Sequence, residues 1–425
     1  MRIAIIGSGI AGMTAAYRLN AAHDITVFEA SDHFGGHTYT RDIEMAGQHY
    51  AVDMGFIVFN DRTYPHFVKL LADLDVASHE SSMSFSVRNE RSGLEYNGTS
   101  LNRLFAQRSN LLRPSFLRMV RDIVRFNGNA PKLLASDGDE ITLGDYLAAN
   151  EYSRHFVDDY LVPMGAAIWS TDPQRMLAFP ARFLVRFMHN HGMLSVADRP
   201  VWRVITGGSA RYVERLVAPW RHRVRLNCAA TEVRRKRDGV WVTAGGAGAE
   251  RYDHVFFACH ADEALRLLAD PWPAEREILG ALPFQRNEAV LHTDTSLLPR
   301  RRLAWAAWNY HVLPEHRERV ALTYNMNVLQ GLRSRHTLCV TLNRADAIDP
   351  ARVLKRITYH HPLFTPQGIA AQRRHHEISG VARTHYCGAY WRYGFHEDGV
   401  VSAQQAVRRF EQGHHDAQRD LPRVA

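Results

Sequence analysis

Three glycines at the start of the chain have the spacing of a dinucleotide-binding turn. Gly7, Gly9 and Gly12 form the pattern G-x-G-x-x-G. In this pattern the first glycine permits a tight turn, the second lets the backbone approach a pyrophosphate, and the third allows a helix to pack closely on a strand. Glu29 follows Gly9 by twenty residues, and a carboxylate at that distance can bind ribose hydroxyls. Because a carboxylate would repel a 2′-phosphate, the sequence favours an unphosphorylated ribose.

The elements needed to position these residues can be predicted on both sides of the turn. Residues 2–6 are typical of a short buried strand, and residues 13–20 continue as a helix. A second apolar run, 25–28, ends at Glu29. Strand, turn, helix and strand make a βαβ unit, in which the helix N terminus offers unpaired N–H groups to phosphates. We therefore expect residues 1–38 to bind a dinucleotide.

Two further motifs narrow the choice of dinucleotide. G-G-H-T at 35–38 is a second glycine-rich turn, and D-M-G-F-I-V-F-N follows at 53–60. Near the C terminus, C-G-A-Y-W-R-Y-G-F-H-E-D-G at 387–399 leads from a strand into a helix over 400–410. These motifs resemble those of the flavin amine oxidase, phytoene desaturase and protoporphyrinogen oxidase superfamily. Within it they are similar to bacterial amine-oxidase-like FAD proteins that often accompany cyclopropane-fatty-acid synthase-like enzymes.

The resemblance implies one FAD held between the two ends of the chain. The second glycine pair would approach the flavin, with His37 where the family usually has arginine, and the N terminus of the last helix would stabilise negative charge on the reduced flavin. Val233 would meet the adenine through its backbone, and Asp398 or Glu397 would cap the last helix. The residues that the motifs and the resemblance together assign to FAD are Gly7, Gly9, Ile10, Ala11, Gly12, Glu29, Ala30, Gly35, Gly36, His37, Thr38, Gly55, Phe56, Val233, Gly388, Asp398, Gly399 and Val400.

The residue pattern in the middle of the chain predicts a helical region that covers an apolar reactant. Apolar residues recur at helical spacing through residues 101–200, and a helix over 181–190 leads into His191. Its apolar side could line a substrate passage or pack a core. Trp308 and Tyr310 lie on a later strand-like segment, and together with His191 they are our candidates for catalytic residues on the substrate side.

One part of this helical region, residues 103–125, is both basic and apolar. Two interpretations stay open. A basic amphipathic helix can lie on an anionic membrane surface, and an ordinary surface helix can have the same pattern while packing on its own domain.

The composition excludes other classes of function. The 425 residues are 46% hydrophobic and 23% charged, with a formal net charge of +8 and no nucleic-acid recognition motif. The 24 histidines show no metal-ligand spacing, and His360 and His361 fall in a predicted loop where we expect them to be solvated. We therefore expect neither a nucleic-acid partner nor a metal.

No run approaches the roughly 18 apolar residues of a membrane span, and four separated cysteines fit a reduced cytoplasmic protein. Peripheral binding at the inner membrane surface is compatible with the charge.

The predicted fold is α/β. A Rossmann-like FAD-binding domain of the amine oxidase type is combined with a discontinuous, mixed substrate domain that carries a helical insertion. The FAD-binding segments are 1–86, 206–270 and 376–425. The substrate domain comprises 87–205, with the helical insertion, and 271–375, which supplies its sheet.

Three hypotheses for function follow. The first is an FAD-dependent oxidoreductase that desaturates or oxidises an unsaturated or methylated fatty acyl chain of a membrane lipid by hydride transfer to flavin N5, with dioxygen or a quinone as the final acceptor. The acyl substrate is implied by the resemblance alone. The second is oxidation of a small amine, although none of the four lysines matches the flavin-adjacent lysine of many amine oxidases. The third is a non-redox flavin-binding partner or isomerase-like scaffold. The oligomeric state stays open.

Overall fold

The computed structural model describes residues 1–135, 141–195, 199–315 and 318–419. The strands of these ranges are β1 (Arg2–Ile6), β2 (Asp24–Phe28), β3 (Thr40–Met45), β4 (Gln48–Asp53), β5 (Val58–Asn60), β6 (Ser78–Glu80), β7 (Phe85–Asn89), β8 (Leu94–Asn97), β9 (Trp202–Ile205), β10 (Val224–Arg225), β11 (Ala230–Lys236), β12 (Gly239–Ala244), β13 (Glu250–Tyr252), β14 (His254–Phe257), β15 (Phe284–His292), β16 (Trp308–Val312), β17 (Leu322–Asn325), β18 (Cys339–Leu342), β19 (Val353–Pro362) and β20 (Thr384–Tyr386).

The helices connect and cover these strands. They are α1 (Ile10–Leu19), α2 (Pro65–Asp73), α3 (Leu101–Leu104), α4 (Pro114–Asn129), α5 (Leu143–Ala149), α6 (Arg154–Phe156), α7 (Val162–Trp169), α8 (Pro173–Met176), α9 (Ala181–Asn190), α10 (Ala210–Val217), α11 (Ala261–Leu267), α12 (Pro273–Gly280), α13 (Met326–Leu329), α14 (Pro366–Arg373), α15 (His375–Ile378) and α16 (His396–Arg419). Among the described residues, none of these helices has the length and apolar character needed to cross a bilayer.

A parallel sheet of five strands, in the order β10-β2-β1-β14-β20, carries the dinucleotide motif. Its strands come from all three segments predicted to bind FAD. Parallel sheets are buried on both faces, and β1 shows this: Ile3 and Ile5 pack with α1 and α16, whereas Ala4 and Ile6 pack with residues of β11, β12 and α11. The α/β fold class and the mixed architecture are confirmed.

A second sheet of seven strands, in the order β19-β15-β18-β17-β16-β7-β8, lies in the segments predicted for the substrate domain, except that β7 begins two residues before the predicted start at residue 87. The helical region α4–α9 packs with this sheet in the largest core cluster. The predicted helix over 181–190 is confirmed as α9. A π-helical turn, Val157–Leu161, precedes α7 and carries Tyr160 to the wall of a cavity described below.

Two local predictions were wrong. His360 and His361 lie in β19 rather than in a loop, because β15 pairs with that strand along its whole length. The C-terminal helix begins at His396, four residues before the predicted start.

Candidate functional site

A cavity of about 1090 Å³ runs from the G-x-G-x-x-G turn to the helical region. The segments that converge on it include the β1–α1 turn, residues 35–37 and 54–58, α7 and α9 with the residues that follow, and residues 388–396. One end therefore has glycine-rich backbone, and the other has aromatic side chains.

The first turn leaves open space where a cofactor backbone contact is needed. Gly7 has φ of +100°, a conformation that favours glycine. A Cβ added at Gly9 would meet nothing within 4 Å, whereas one added at Gly12 would lie 2.0 Å from the carbonyl oxygen of Gly7. Gly9 thus faces the cavity, and Gly12 allows α1 to pack closely on the turn. Gly9 caps α1 without a side-chain hydrogen bond, so the helix N terminus remains available for an anion.

Glu29 is held rigidly at the end of β2. One carboxylate oxygen accepts hydrogen bonds from the Ser8 N–H at 2.8 Å and the Ser8 hydroxyl at 2.6 Å. The other accepts from the Ser31 N–H at 2.9 Å and its hydroxyl at 2.8 Å. Glu29 lines the cavity beside the glycine turn, as a ribose-binding carboxylate requires.

The C-terminal helix meets the N terminus of α1. A Cβ added at Gly399 would lie 2.7 Å from Cγ2 of Ile10, so the two helix starts are in close contact. Asp398 accepts a hydrogen bond from the Phe395 N–H at 3.0 Å and caps α16, as the sequence predicts, and burial raises its pKa to about 6. Glu397 accepts from the N–H groups of His66 and Phe67, which ties α16 to the start of α2.

His396 joins the two ends of the chain. Its Nε2 lies 3.0 Å from the Thr38 hydroxyl and 2.9 Å from the Tyr212 hydroxyl, and those two hydroxyls are 2.6 Å apart. The ring stacks on Phe56 with 3.5 Å between centroids. Burial lowers the pKa of His396 well below its usual value, so the ring is neutral at pH 7. Thr38 is therefore a positioning residue that does not itself line the cavity.

His37, which stands where relatives have arginine, is fixed against the substrate sheet. Its ring stacks on Tyr359 at 4.9 Å, and Nε2 donates a hydrogen bond to the carbonyl of His360 at 3.1 Å. Burial, with a smaller contribution from nearby His260, lowers the pKa of His37 to about 3. This side chain brings no positive charge to the cavity at neutral pH, whereas Arg266 lines the cavity.

The other end of the cavity, here called the apolar lobe, is built from aromatic and aliphatic side chains. The Phe187 ring lies between two other rings: its centroid is 4.8 Å from that of Trp169 and 5.1 Å from that of Phe395. The members of the apolar lobe are Phe85, Tyr160, Met164, Ile168, Trp169, Phe187, His191, Met193, Trp202, Trp308, Tyr324, Leu329, Phe364, Tyr393 and Phe395. Phe395 precedes His396, whose ring stacks on Phe56, so the apolar lobe adjoins a residue assigned to the cofactor.

Two of the three predicted catalytic residues line this lobe. His191 stacks on Phe187 at 3.9 Å and donates a hydrogen bond from Nδ1 to the Phe187 carbonyl at 2.9 Å. Burial lowers its pKa to about 4, so Nε2 keeps a free lone pair at neutral pH. Trp308 lines the cavity, and its indole N–H has no partner among the described residues.

The third predicted catalytic residue, Tyr310, does not line the lobe. Its side chain is buried in the core and does not line the cavity. α7 packs on β16, and the Tyr310 ring lies against Phe85 with 6.4 Å between centroids. Tyr324, on the neighbouring strand, lines the cavity in its place.

The residues predicted to bind the cofactor also fall into two groups, those that line the cavity and those that do not. Those that line the cavity are Gly7, Gly9, Ile10, Ala11, Glu29, Ala30, Gly35, Gly36, His37, Gly55, Phe56 and Gly388. Three others lie behind it: Gly12 packs against the carbonyl of Gly7, Gly399 packs against Ile10 of α1, and Val400 is buried. Val233 does not reach the cavity, because its carbonyl accepts a hydrogen bond from Ala269 and its side chain is buried; Ala229 and Ala230 line the wall there.

These residues fit FAD. The open Cβ position at Gly9, the uncapped start of α1 and the oriented Glu29 match a dinucleotide, and the second turn and α16 lie where a flavin would extend toward the apolar lobe. Ser8 to Ala11 and Glu29 would hold the nucleotide part, and Gly35 to His37, Gly55, Phe56 and Gly388 the flavin part.

Known structures share this fold over nearly the whole chain. Cyclohexylamine oxidase from Brevibacterium oxydans IH-35A is 17% identical, with 97% of this chain and 99% of that one covered and a TM-score of 0.71. Putrescine oxidase bound to putrescine is 16% identical, with 96% and 99% covered and a TM-score of 0.67. A CLA-producing fatty acid isomerase from P. acnes is also 16% identical, with 96% and 98% covered and a TM-score of 0.67. At these identities the likeness shows the fold alone.

The family assignment comes from the sequence. The model of the family described as flavin containing amine oxidoreductase matches residues 10–295. That range includes the start of α1, the second glycine-rich turn and the helical region. The chain therefore belongs to the flavin-containing amine oxidoreductases and is an FAD-dependent oxidoreductase.

Proposed function

We propose that this oxidoreductase removes two hydrogens from a fatty acyl chain in the apolar lobe. The observation that carries this proposal is the lining of the lobe, which is mostly apolar or aromatic. Ser81, Ser84, Ser170 and Arg199 line the same cavity, and Arg199 interacts electrostatically with Tyr160 of the lobe. A cavity of this kind binds a neutral, hydrophobic reactant, because burying a charge without a partner is costly. The resemblance to proteins that accompany cyclopropane-fatty-acid synthase-like enzymes supports an unsaturated or methylated chain of a membrane lipid.

The lysines support the same choice. Among the described residues that line the cavity there is no lysine, and Lys69, Lys132, Lys236 and Lys355 all lie elsewhere. The chain thus lacks, at this site, the flavin-adjacent lysine found in many amine oxidases. Chemistry that depends on such a lysine is disfavoured.

The residues of the apolar lobe have separate roles in this proposal. FAD, when bound, supplies the acceptor of a hydride at N5. The aromatic walls hold the acyl chain with one C–H bond toward the flavin and exclude water. His191 takes the proton from the adjacent carbon on Nε2, so one C=C bond forms as two C–H bonds break. Dioxygen or a quinone finally receives the two electrons.

Oxidation of a small amine is the second candidate. It is favoured by the aromatic rings of Trp308, Tyr324 and Tyr393 at the cavity, since aromatic faces can bind a cation or a neutral amine. Cyclohexylamine oxidase and putrescine oxidase share the fold.

The two candidates are separated by anaerobic reduction of the bound flavin. We expect the visible flavin absorbance to bleach when phospholipids with unsaturated or methylated chains are added, and to persist with polyamines or cyclic amines. Bleaching by amines alone would establish the second candidate. Bound flavin that neither class reduces would favour a non-redox role.

A further inference from the structure

A patch of exposed apolar and basic side chains covers the surface beside the cavity. We call it the basic apolar face, and its members are Leu101, Arg103, Leu111, Leu112, Leu117, Arg118, Arg121 and Val124. Leu112 is 87% exposed, Leu101 77% and Val124 66%. Large apolar side chains exposed to this degree in one short stretch indicate a surface that binds something.

Packing explains only one side of α4. Phe116, Met119 and Phe126 are buried in the core formed with the other helices. Leu117 and Val124 point away from that core and are exposed. The interpretation of α4 as an ordinary surface helix therefore accounts for the first set and leaves the second without a partner.

The charge around these apolar residues is strongly positive. Residues 101–132 contain six arginines and one lysine, with Asp122 as the single acidic residue. Asp122 is buried and paired with Arg125 at 3.2 Å. In the described part of the chain no acidic side chain forms a salt bridge with the arginines of the basic apolar face, which leaves their charge available to an anionic partner.

The basic apolar face also lies next to the cavity wall. Tyr96, Gly98 and Thr99 line the cavity. Leu101 follows Thr99 by two residues and opens α3, so its Cα lies within about 7 Å of that of Thr99. Whatever binds this face is held close to the cavity wall formed by Tyr96, Gly98 and Thr99.

We propose that the basic apolar face seats the protein on an anionic lipid bilayer. Leucines interleaved with arginines suit this partner, because the leucines can enter the headgroup region while the guanidinium groups extend to lipid phosphates. The inference goes beyond the proposed activity, since binding to vesicles needs no turnover. It supplies a route by which an acyl chain enters the cavity without crossing water.

Vesicle cosedimentation of the FAD-loaded protein tests this directly. Vesicles of phosphatidylcholine mixed with phosphatidylglycerol should bind the protein, whereas phosphatidylcholine alone should bind it weakly, and high salt should reduce binding. Replacing Arg118 and Arg121 by glutamate should weaken partitioning at least about thirty-fold, from roughly 1 kcal/mol per basic residue at an anionic surface. Leu112→Asp with Leu117→Asp should weaken it at least about tenfold.

A matched control comes from elsewhere on the surface. Leu354 and Arg237 are exposed and lie outside the basic apolar face, so Leu354→Asp with Arg237→Glu should bind vesicles like the wild type. All variants should keep their bound flavin, which separates lost binding from lost folding. Equal binding of wild type and both face variants would overturn the proposal. The proposal would also be overturned if the wild type does not bind anionic vesicles but self-associates through this face.

Discussion

Replacing Gly9 by alanine should lower the affinity for FAD about 10- to 100-fold and leave the fold intact. A Cβ at this position meets no protein atom within 4 Å, and φ of −66° suits alanine. The structure and stability of the apoprotein should therefore stay the same. The same methyl group would occupy the space through which the backbone approaches the pyrophosphate. Overpacking of this kind costs about 1–3 kcal/mol, which corresponds to the expected loss.

The measurement is a titration of apoprotein with FAD, followed by flavin fluorescence, together with a thermal unfolding scan of the apoprotein. Gly248→Ala is the control, because a Cβ there also meets nothing within 4 Å and the residue does not line the cavity. Unchanged FAD affinity in Gly9→Ala would show that the first glycine turn does not contact the cofactor.

Replacing Met164 by lysine should reduce oxidation of an acyl substrate about 100-fold or more while FAD stays bound. Met164 lines the apolar lobe from α7. An ammonium group placed there is either unpaired and costly to bury or neutralised by a large fall in its pKa. Either way the lobe loses its affinity for a hydrocarbon chain. Steady-state turnover with a phospholipid substrate, alongside the flavin content of the purified variant, measures the effect.

Two further variants separate the effect of the added charge from a loss of structure. Leu177→Lys introduces the same charge at an exposed position that does not line the cavity, and it should keep wild-type turnover. Met164→Leu keeps the apolar character and should lose little activity. Wild-type turnover in Met164→Lys would place the acyl chain outside the apolar lobe.

The cofactor end of the site was predictable because its signals are local. The spacing of Gly7, Gly9, Gly12 and Glu29 specifies a turn and a strand end within thirty residues, and backbone conformation enforces it. The position of Val233, which does not line the cavity, was not predictable for the opposite reason. The Val233 carbonyl already accepts a hydrogen bond from the Ala269 N–H, and only the tertiary structure shows which strand carbonyls are bonded in this way.

The apolar lobe was only partly predictable. His191 and Trp308 were named from the sequence, but Phe364 and Phe395 reach the same cavity from distant segments that no periodicity connects. Trp308 and Tyr310 share one side of β16, and the sequence gives no sign that α7 covers the second of them. Packing between elements decides which aromatic residues face the cavity, and a pattern within one element does not contain that information.

The most direct test of the account is the product formed from a lipid. Purified, FAD-loaded protein is incubated with phospholipids carrying unsaturated or methylated acyl chains and an electron acceptor, and the chains are analysed by mass spectrometry. We expect an acyl product two mass units lighter, formed in step with consumption of the acceptor. Unchanged lipids, in a preparation whose flavin is reduced by a small amine, would contradict it.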